Sequence, residues 1–312
     1  MIRSRSGAQS LSQTARREKP LRNAHDPHLT CRMTVLEVLQ STTGYFQKHN
    51  IESPRLNAEH LLAHVLGRKR IELYLEFERE LNESELAPLR DLVKRRAEGE
   101  PLQHLLGTVE FCGRTFQCDK RALVPRPETE QLVELLISSF KSEIAHCRIV
   151  DVGTGSGVIA LSLAAKYPEA EIVATDISED ALALARENAE RLGLGARVRF
   201  LRSNLLGNVE GIFGLIAANL PYISTQERQM LSREVLHDPD VALFAGAGGD
   251  ELLRELIAQA TSRLRRGGVL ALEVGIGQSE ALVAALTEKK YRDIWTKNDY
   301  SGVTRFLFAR YG

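Results

Sequence analysis

The chain is poor in cysteine. Its 312 residues include only four, Cys31, Cys112, Cys118 and Cys147, with no CxxC pair among them. That excludes a disulfide framework and fits a reducing, cytosolic setting. Charge of one sign is also lacking: 41 basic side chains balance 41 acidic ones, and the isoelectric point is about 7.1. Affinity therefore does not come chiefly from coating a polyphosphate backbone. No apolar run approaches the roughly 20 residues of a membrane-crossing helix. Low complexity is absent too, since 43% hydrophobic and 26% charged residues are ordinary globular usage. The length suits about two domains.

Residues 1–32 stand apart, with seven basic residues against two acidic ones and no apolar periodicity. They lack the continuous apolar core of a secretory signal. The expectation is a disordered leader or a start assigned upstream of Met33, with an organelle transit peptide as the other reading.

From Met33 to Gly99 the pattern is helical. Thr34 with Glu37 forms a capping box before Val35, Leu36, Val38 and Leu39. Ser53-Pro54 opens a second helix that Gly67 ends. A third helix is expected over Ile71–Phe77. A fourth runs from Asn82 or Ser84 into the basic end Lys94-Arg95-Arg96, favourable at a helix C-terminus. The expectation is a small all-α bundle without strands. His60 and His64 lie four apart, but Leu61 replaces the glutamate of an HExxH zinc site, so no metal is expected. Residues 100–126 read as a joint containing a hairpin over Glu110–Gln117, with Gly113 near its turn. A helix over Leu132–Phe140 then leads into the second domain, 127–312.

That domain alternates strands and helices. Strands are expected at Arg148–Val152, Glu171–Thr175, Val198–Leu201, Ile212–Ala218, Val269–Val274, Arg292–Thr296 and Thr304–Ala309. Helices are expected at Val158–Lys166, Glu179–Leu192, Glu251–Leu264 and Ser279–Leu286. The pattern predicts a doubly wound, mostly parallel sheet with an antiparallel pair at one edge.

The strongest local signal is Asp151-Val152-Gly153-Thr154-Gly155-Ser156-Gly157 between a strand and a helix. Alternate glycines allow close backbone approach to a ligand at a helix N-terminus. A dinucleotide fingerprint would need glycine where Val158 stands, and a P-loop would need Lys-Ser/Thr after Gly157. What remains is the GxGxG turn of a sheet that binds S-adenosylmethionine. Asp176, at the next strand tip, suits the two ribose hydroxyls; Ser178 is better placed than Asp176 to cap the following helix. Asn204, with Leu205 beside it, follows the third strand, where an amide can meet the adenine amino group.

The fourth strand ends in Asn219-Leu220-Pro221-Tyr222. Here the Asn219 carbonyl oxygen and the Leu220 main-chain carbonyl can accept the two hydrogens of a planar NH2 group, and Tyr222 offers it a flat face. An amide nitrogen is a weak nucleophile because its lone pair is delocalised. Two fixed acceptors favour pyramidalisation and aim that lone pair at the methyl sulfonium.

These motifs resemble the PrmC/HemK protein-(glutamine-N5) methyltransferases over Met33 to Tyr311. The likeness is carried by residues 95–103 (RRAEGEPLQ), 124–130 (VPRPETE), 151–157, 219–222 and 299–305 (DYSGVTR). It implies a class I S-adenosylmethionine-dependent methyltransferase fold with a seven-stranded sheet. The implied reaction is methylation of the glutamine of the Gly-Gly-Gln loop in class I peptide chain release factors, by a cytoplasmic enzyme expected to be a monomer. It further implies that 33–99 binds the release factor and that the hairpin joins it to the catalytic domain. Leu220 replaces the family's first proline, which keeps the carbonyl but gives up the ring's restraint on φ. Asn204 replaces an aspartate, and Phe213-Gly214 replaces Phe-Asp.

The rival readings are an N6-adenine DNA methyltransferase, which uses the same chemistry on a flipped base, and a catalytically silent binding module. The first would need a recognition region and a basic face that this composition does not offer, so neither DNA nor a membrane is expected as a partner.

Overall fold

A computed structural model describes residues 33–140 and 145–312; the expectations for residues 1–32 lie outside them. The helical unit begins as its sequence dictates. Thr34 caps the helix Val35–Lys48, and the reciprocal bond with Glu37 closes the capping box. The helix Pro54–Leu66 ends on Gly67 in the left-handed conformation, and Asn82 caps the helix Glu83–Ala97. Two expectations are corrected. The third helix is one turn, Arg70–Leu73, because the chain must turn back after it. The unit also contains strand: β1 (Met33–Thr34) pairs antiparallel with β2 (Glu80–Leu81), tying the start of the unit to its fourth helix. A further helix, Leu102–Leu106, falls in the expected joint and buries Leu105 in the helical core.

The hairpin is β3 (Thr108–Phe111) and β4 (Arg114–Gln117). Cys112 and Gly113 at its turn both have positive φ, 48° and 70°, the tight connection that matches strand twist. The next helix is Pro127–Ser139, five residues longer at its start than expected, since Pro127 suits the first helical position.

The sheet holds β5 (Arg148–Val152), β6 (Glu171–Asp176), β7 (Val198–Arg202), β8 (Phe213–Asn219), β11 (Leu264–Glu273), β12 (Tyr291–Asn298) and β13 (Thr304–Tyr311) in the order β12-β13-β11-β8-β5-β6-β7. All neighbours are parallel except β12–β13 and β13–β11, the expected antiparallel edge. Burial on both faces explains the apolar run of β8 and the apolar residues of β5, which only the buried Asp151 interrupts. One face packs against Pro127–Ser139 and Val158–Lys166, the other against Glu251–Ala260 and Ser279–Glu288. The expected helix Glu251–Leu264 stops at Ala260, and Leu264 belongs to β11. A short parallel pair, β9 (Ile223–Ser224) with β10 (Phe244–Gly246), was not foreseen. It is too short to carry a periodic signal.

Strand order reverses between β5 and β8, with β6 on one side and β11 on the other. In open sheets of this kind the crevice at the carboxyl ends of such strands is the binding site.

Candidate active site

The loop after β5 lies at that switch point. Gly153 and Thr154 donate their amides to the Thr175 carbonyl at 2.9 and 2.8 Å, holding the loop against β6. Asp151 is fully buried beneath it. Its Oδ2 accepts from Thr154 Oγ1 at 2.6 Å and from the Ala160 amide at 3.1 Å, bracing both the loop and the first turn of the following helix. Burial pushes the Asp151 carboxyl up to about 7. Gly157 is that helix's cap residue, and a Cβ there would meet Ala185 Cβ at 3.2 Å; it permits close packing of two helices.

Asp176 ends β6. Its Oδ2 accepts from the Gly155 amide at 2.9 Å and its Oδ1 from the Ser178 amide at 2.9 Å; burial raises its pKa above the usual carboxylate range. Ser178, as expected, caps the next helix by accepting from the Ala181 amide.

At the tip of β8, Asn219 Nδ2 donates to Thr129 Oγ1 at 2.8 Å, and the Thr129 hydroxyl donates to Glu273 Oε2 at 2.8 Å. Leu220 is buried against the glycine loop. Tyr222 has Arg305 over its ring at 5.8 Å, and its main-chain carbonyl accepts from Gln278 Nε2 at 2.9 Å. Burial pushes the Tyr222 hydroxyl up to about 12, so it stays neutral.

These pieces surround one cavity of about 230 Å³. Of the residues singled out in the sequence, Gly153, Thr154, Gly155, Ser156, Asp176, Asn204, Leu205, Asn219, Leu220 and Pro221 line it. Gly157 and Tyr222 are not in its wall: the first caps the helix, and the second packs behind the tip. Sequence reasoning missed Ala122, Leu123, Pro125 and Thr129 from the joint and the helix after it, and Ile177, Val241, Phe244 and Leu252 from elsewhere. The 124–130 motif was the one signal that could have pointed to Thr129. The apolar walls, the carboxylate of Asp176 and the glycine loop at a helix N-terminus fit a nucleoside with an attached amino acid. Among the described residues, no group of three or more His, Cys, Asp or Glu is placed to hold a metal ion.

The hairpin is bolted to this site by Asn188. Its Oδ1 accepts from the Gln117 amide at 2.6 Å, and its Nδ2 donates to the carbonyls of Gln117 and Ser156. The helical unit meets the segment that leaves the β8 tip. Arg96, 3% exposed, donates to Asn57 Oδ1 and to Glu234 Oε2, each at 2.7 Å.

Two family models match the chain: "PrmC N-terminal domain" over residues 37–107 and "Methyltransferase small domain" over residues 128–247. A curated relative from Deinococcus radiodurans, named release factor glutamine methyltransferase, is 41% identical over 278 residues, 89% of this chain and 99% of its own. One of the same name from Escherichia coli is 38% identical over 261 residues, covering 83% of this chain and 93% of its own. Among solved structures, the hMettl16 catalytic domain in complex with a 3′UTR hairpin aligns with a TM-score of 0.53 at 18% identity. It covers 71% of this chain and 82% of that one. That likeness concerns the fold alone.

Proposed function

The chain belongs to the release factor glutamine methyltransferases, and on that premise we propose how its own residues divide the reaction. The enzyme transfers a methyl group from S-adenosylmethionine to the side-chain amide nitrogen, N5, of the glutamine in the Gly-Gly-Gln motif of release factors. This reading displaces the DNA methyltransferase alternative. When bound, S-adenosylmethionine supplies the methyl: its S–CH3 bond breaks as an N–CH3 bond forms, and the amide nitrogen sheds one proton.

Gly153–Ser156 cradles the amino acid end of the cofactor, Asp176 holds the ribose hydroxyls, and Asn204 with Leu205 faces the adenine. Asn219 Oδ1 and the Leu220 carbonyl each accept one N–H of the glutamine amide, while Pro221 shapes the slot around it and Tyr222 supports the tip from behind. With both hydrogens held, the nitrogen lone pair turns toward the cofactor. Catalysis is then positioning and electrostatics, with no strong base needed before transfer. The helical unit docks the release factor and the hairpin sets its distance from the cavity. We place the enzyme in the cytoplasm, acting as a single chain on protein rather than on DNA.

The observation that carries this reading is the meeting of the glycine loop, Asp176 and the Asn219–Leu220 tip around one cavity. Two substitutions test it. Asn219→Ala should lower kcat on purified release factor by about 10²–10³ while cofactor affinity is kept. Asp176→Ala should instead weaken cofactor binding by about 10–100-fold, the worth of hydrogen bonds to a charged group. A folded Asn219→Ala enzyme with wild-type turnover would remove the tip from the chemistry.

A further inference from the structure

Asn219 and Glu273 are register partners at the last paired position of the adjacent parallel strands β8 and β11. Thr129, from the first turn of the helix Pro127–Ser139, stands between them. It receives Asn219 Nδ2–H and passes its own proton to Glu273 Oε2, both at 2.8 Å. Thr129 is 3% exposed and Glu273 1%. A buried carboxylate facing a strand tip is expensive unless it has a partner, and here the partner is the Thr129 hydroxyl.

A hydroxyl carries one proton and two lone pairs. With its proton committed to the Glu273 carboxylate, Thr129 offers Asn219 only lone pairs. The Asn219 amide must then turn its NH2 inward, which leaves Oδ1 as the atom facing the cavity. A flipped amide would oppose its own NH2 to the NH2 of a glutamine side chain, donor against donor.

We propose that Thr129 and Glu273 are positioning residues that fix the flip of the Asn219 amide, so that an acceptor and not a donor meets the substrate nitrogen. The inference rests on the functional reading above and deepens it.

It carries a pH dependence. If Glu273 takes up a proton, the relay can run backward: Glu273 O–H donates to Thr129, Thr129 O–H donates to Asn219 Oδ1, and the NH2 faces the cavity. Burial pushes Glu273 up to about 7, and the neighbouring Glu128 carboxylate adds to this; the Thr129 hydroxyl, Arg305 and Arg126 act in the other direction. Tyr222, the remaining titratable neighbour, is neutral throughout because its own pKa is about 12. The ionised form is the competent one, so kcat rises with pH through about 7.

The test uses the full chain, S-adenosylmethionine and purified release factor, with cofactor affinity measured by calorimetry as the check on folding. Thr129→Val should lower kcat by about 10–100-fold with cofactor affinity kept, as losses of orienting partners commonly do. Thr129→Ser, which keeps the hydroxyl, should recover most of it. Glu273→Gln should lower kcat and erase the rise near neutral pH that the wild type shows. Wild-type kcat in folded Thr129→Val, or an unaltered rise in Glu273→Gln, overturns the relay. Should Thr129→Val and Glu273→Gln fail to fold, the wild-type profile decides: a kcat that is flat across neutral pH overturns it, and a rise through about 7 with Thr129→Ser active supports it. An inactive Asn219→Ala beside an unaffected Thr129→Val sinks the relay alone, whereas an active Asn219→Ala sinks the functional reading beneath it.

Discussion

A Cβ built on Gly153 would lie 2.7 Å from Leu220 Cδ2. The glycine loop and the tip of β8 are thus packed on each other, with Gly153 at φ 73° leaving room for the Leu220 side chain as well as adopting the left-handed conformation. The Leu220 side chain occupies this space.

Gly153→Ala should therefore weaken cofactor binding through the φ strain and the contact with Leu220 together. Shortening the neighbour in Gly153→Ala/Leu220→Ala should recover part of the loss. Calorimetric titration of the two single variants and the double gives the coupling, about 0.5–3 kcal/mol for residues in contact. Strictly additive effects would mean that the loop and the tip do not press on each other.

Asn188 is 1% exposed and joins β4 to the Ser156 carbonyl. Asn188→Leu fills the space but leaves the Gln117 amide and the Ser156 carbonyl without this partner. It should cost about 1–3 kcal/mol of stability and weaken cofactor binding, because the glycine loop loses its tether. Denaturant unfolding and cofactor titration of the same variant check both. A destabilised protein with unaltered cofactor affinity would confine Asn188 to holding the hairpin.

The buried Asp151 carboxyl has a folded pKa of about 7 against an ordinary 3.8. Between those values the folded protein keeps a proton that the unfolded chain has lost. The stability this adds is full below about pH 4 and gone above about pH 7. Asp151→Asn lacks the proton equilibrium and keeps an acceptor for Thr154 and Ala160. Its Tm relative to wild type should climb as pH rises across that window. A constant difference would mean that Asp151 is ionised in the folded state throughout.

Glu234 receives Arg96 at 2.7 Å and so anchors the segment after the β8 tip to the helical unit. If release factor docks on that unit, Glu234→Ala should raise KM for release factor by about 5–30-fold, or about 1–2 kcal/mol. Cofactor affinity and kcat at saturation should hold. A KM for release factor equal to wild type would separate docking from this contact.

Much of this architecture was legible in the chain because its causes are local. The Thr34–Glu37 box, the Gly67 stop and the Val158–Lys166 helix each depend on residues within a turn or two of one another. The alternation of strand-length and helix-length segments from Arg148 onward signalled a doubly wound, mostly parallel sheet. Alternate glycines after a strand and an asparagine at a strand tip mark chemistry through spacing, so the cavity's main residues could be named in advance. The third helix was expected over Ile71–Phe77 but spans only Arg70–Leu73, and the two-residue strands β1 and β2 were missed, since elements that short leave no period to read.

Only the tertiary structure decided which groups meet. Thr129 lies 90 positions from Asn219 and 144 from Glu273, and Asn188 lies 71 from Gln117. No periodicity links such positions. They are neighbours because β8 and β11 run side by side, and because the helices that begin at Pro127 and Glu179 pack on the sheet and on β4. The sequence by itself determined that the Asn219–Pro221 tip and the glycine loop would share one switch point. The hydrogen-bonded line from Asn219 through Thr129 to Glu273 crosses three elements, and packing alone brings those elements together.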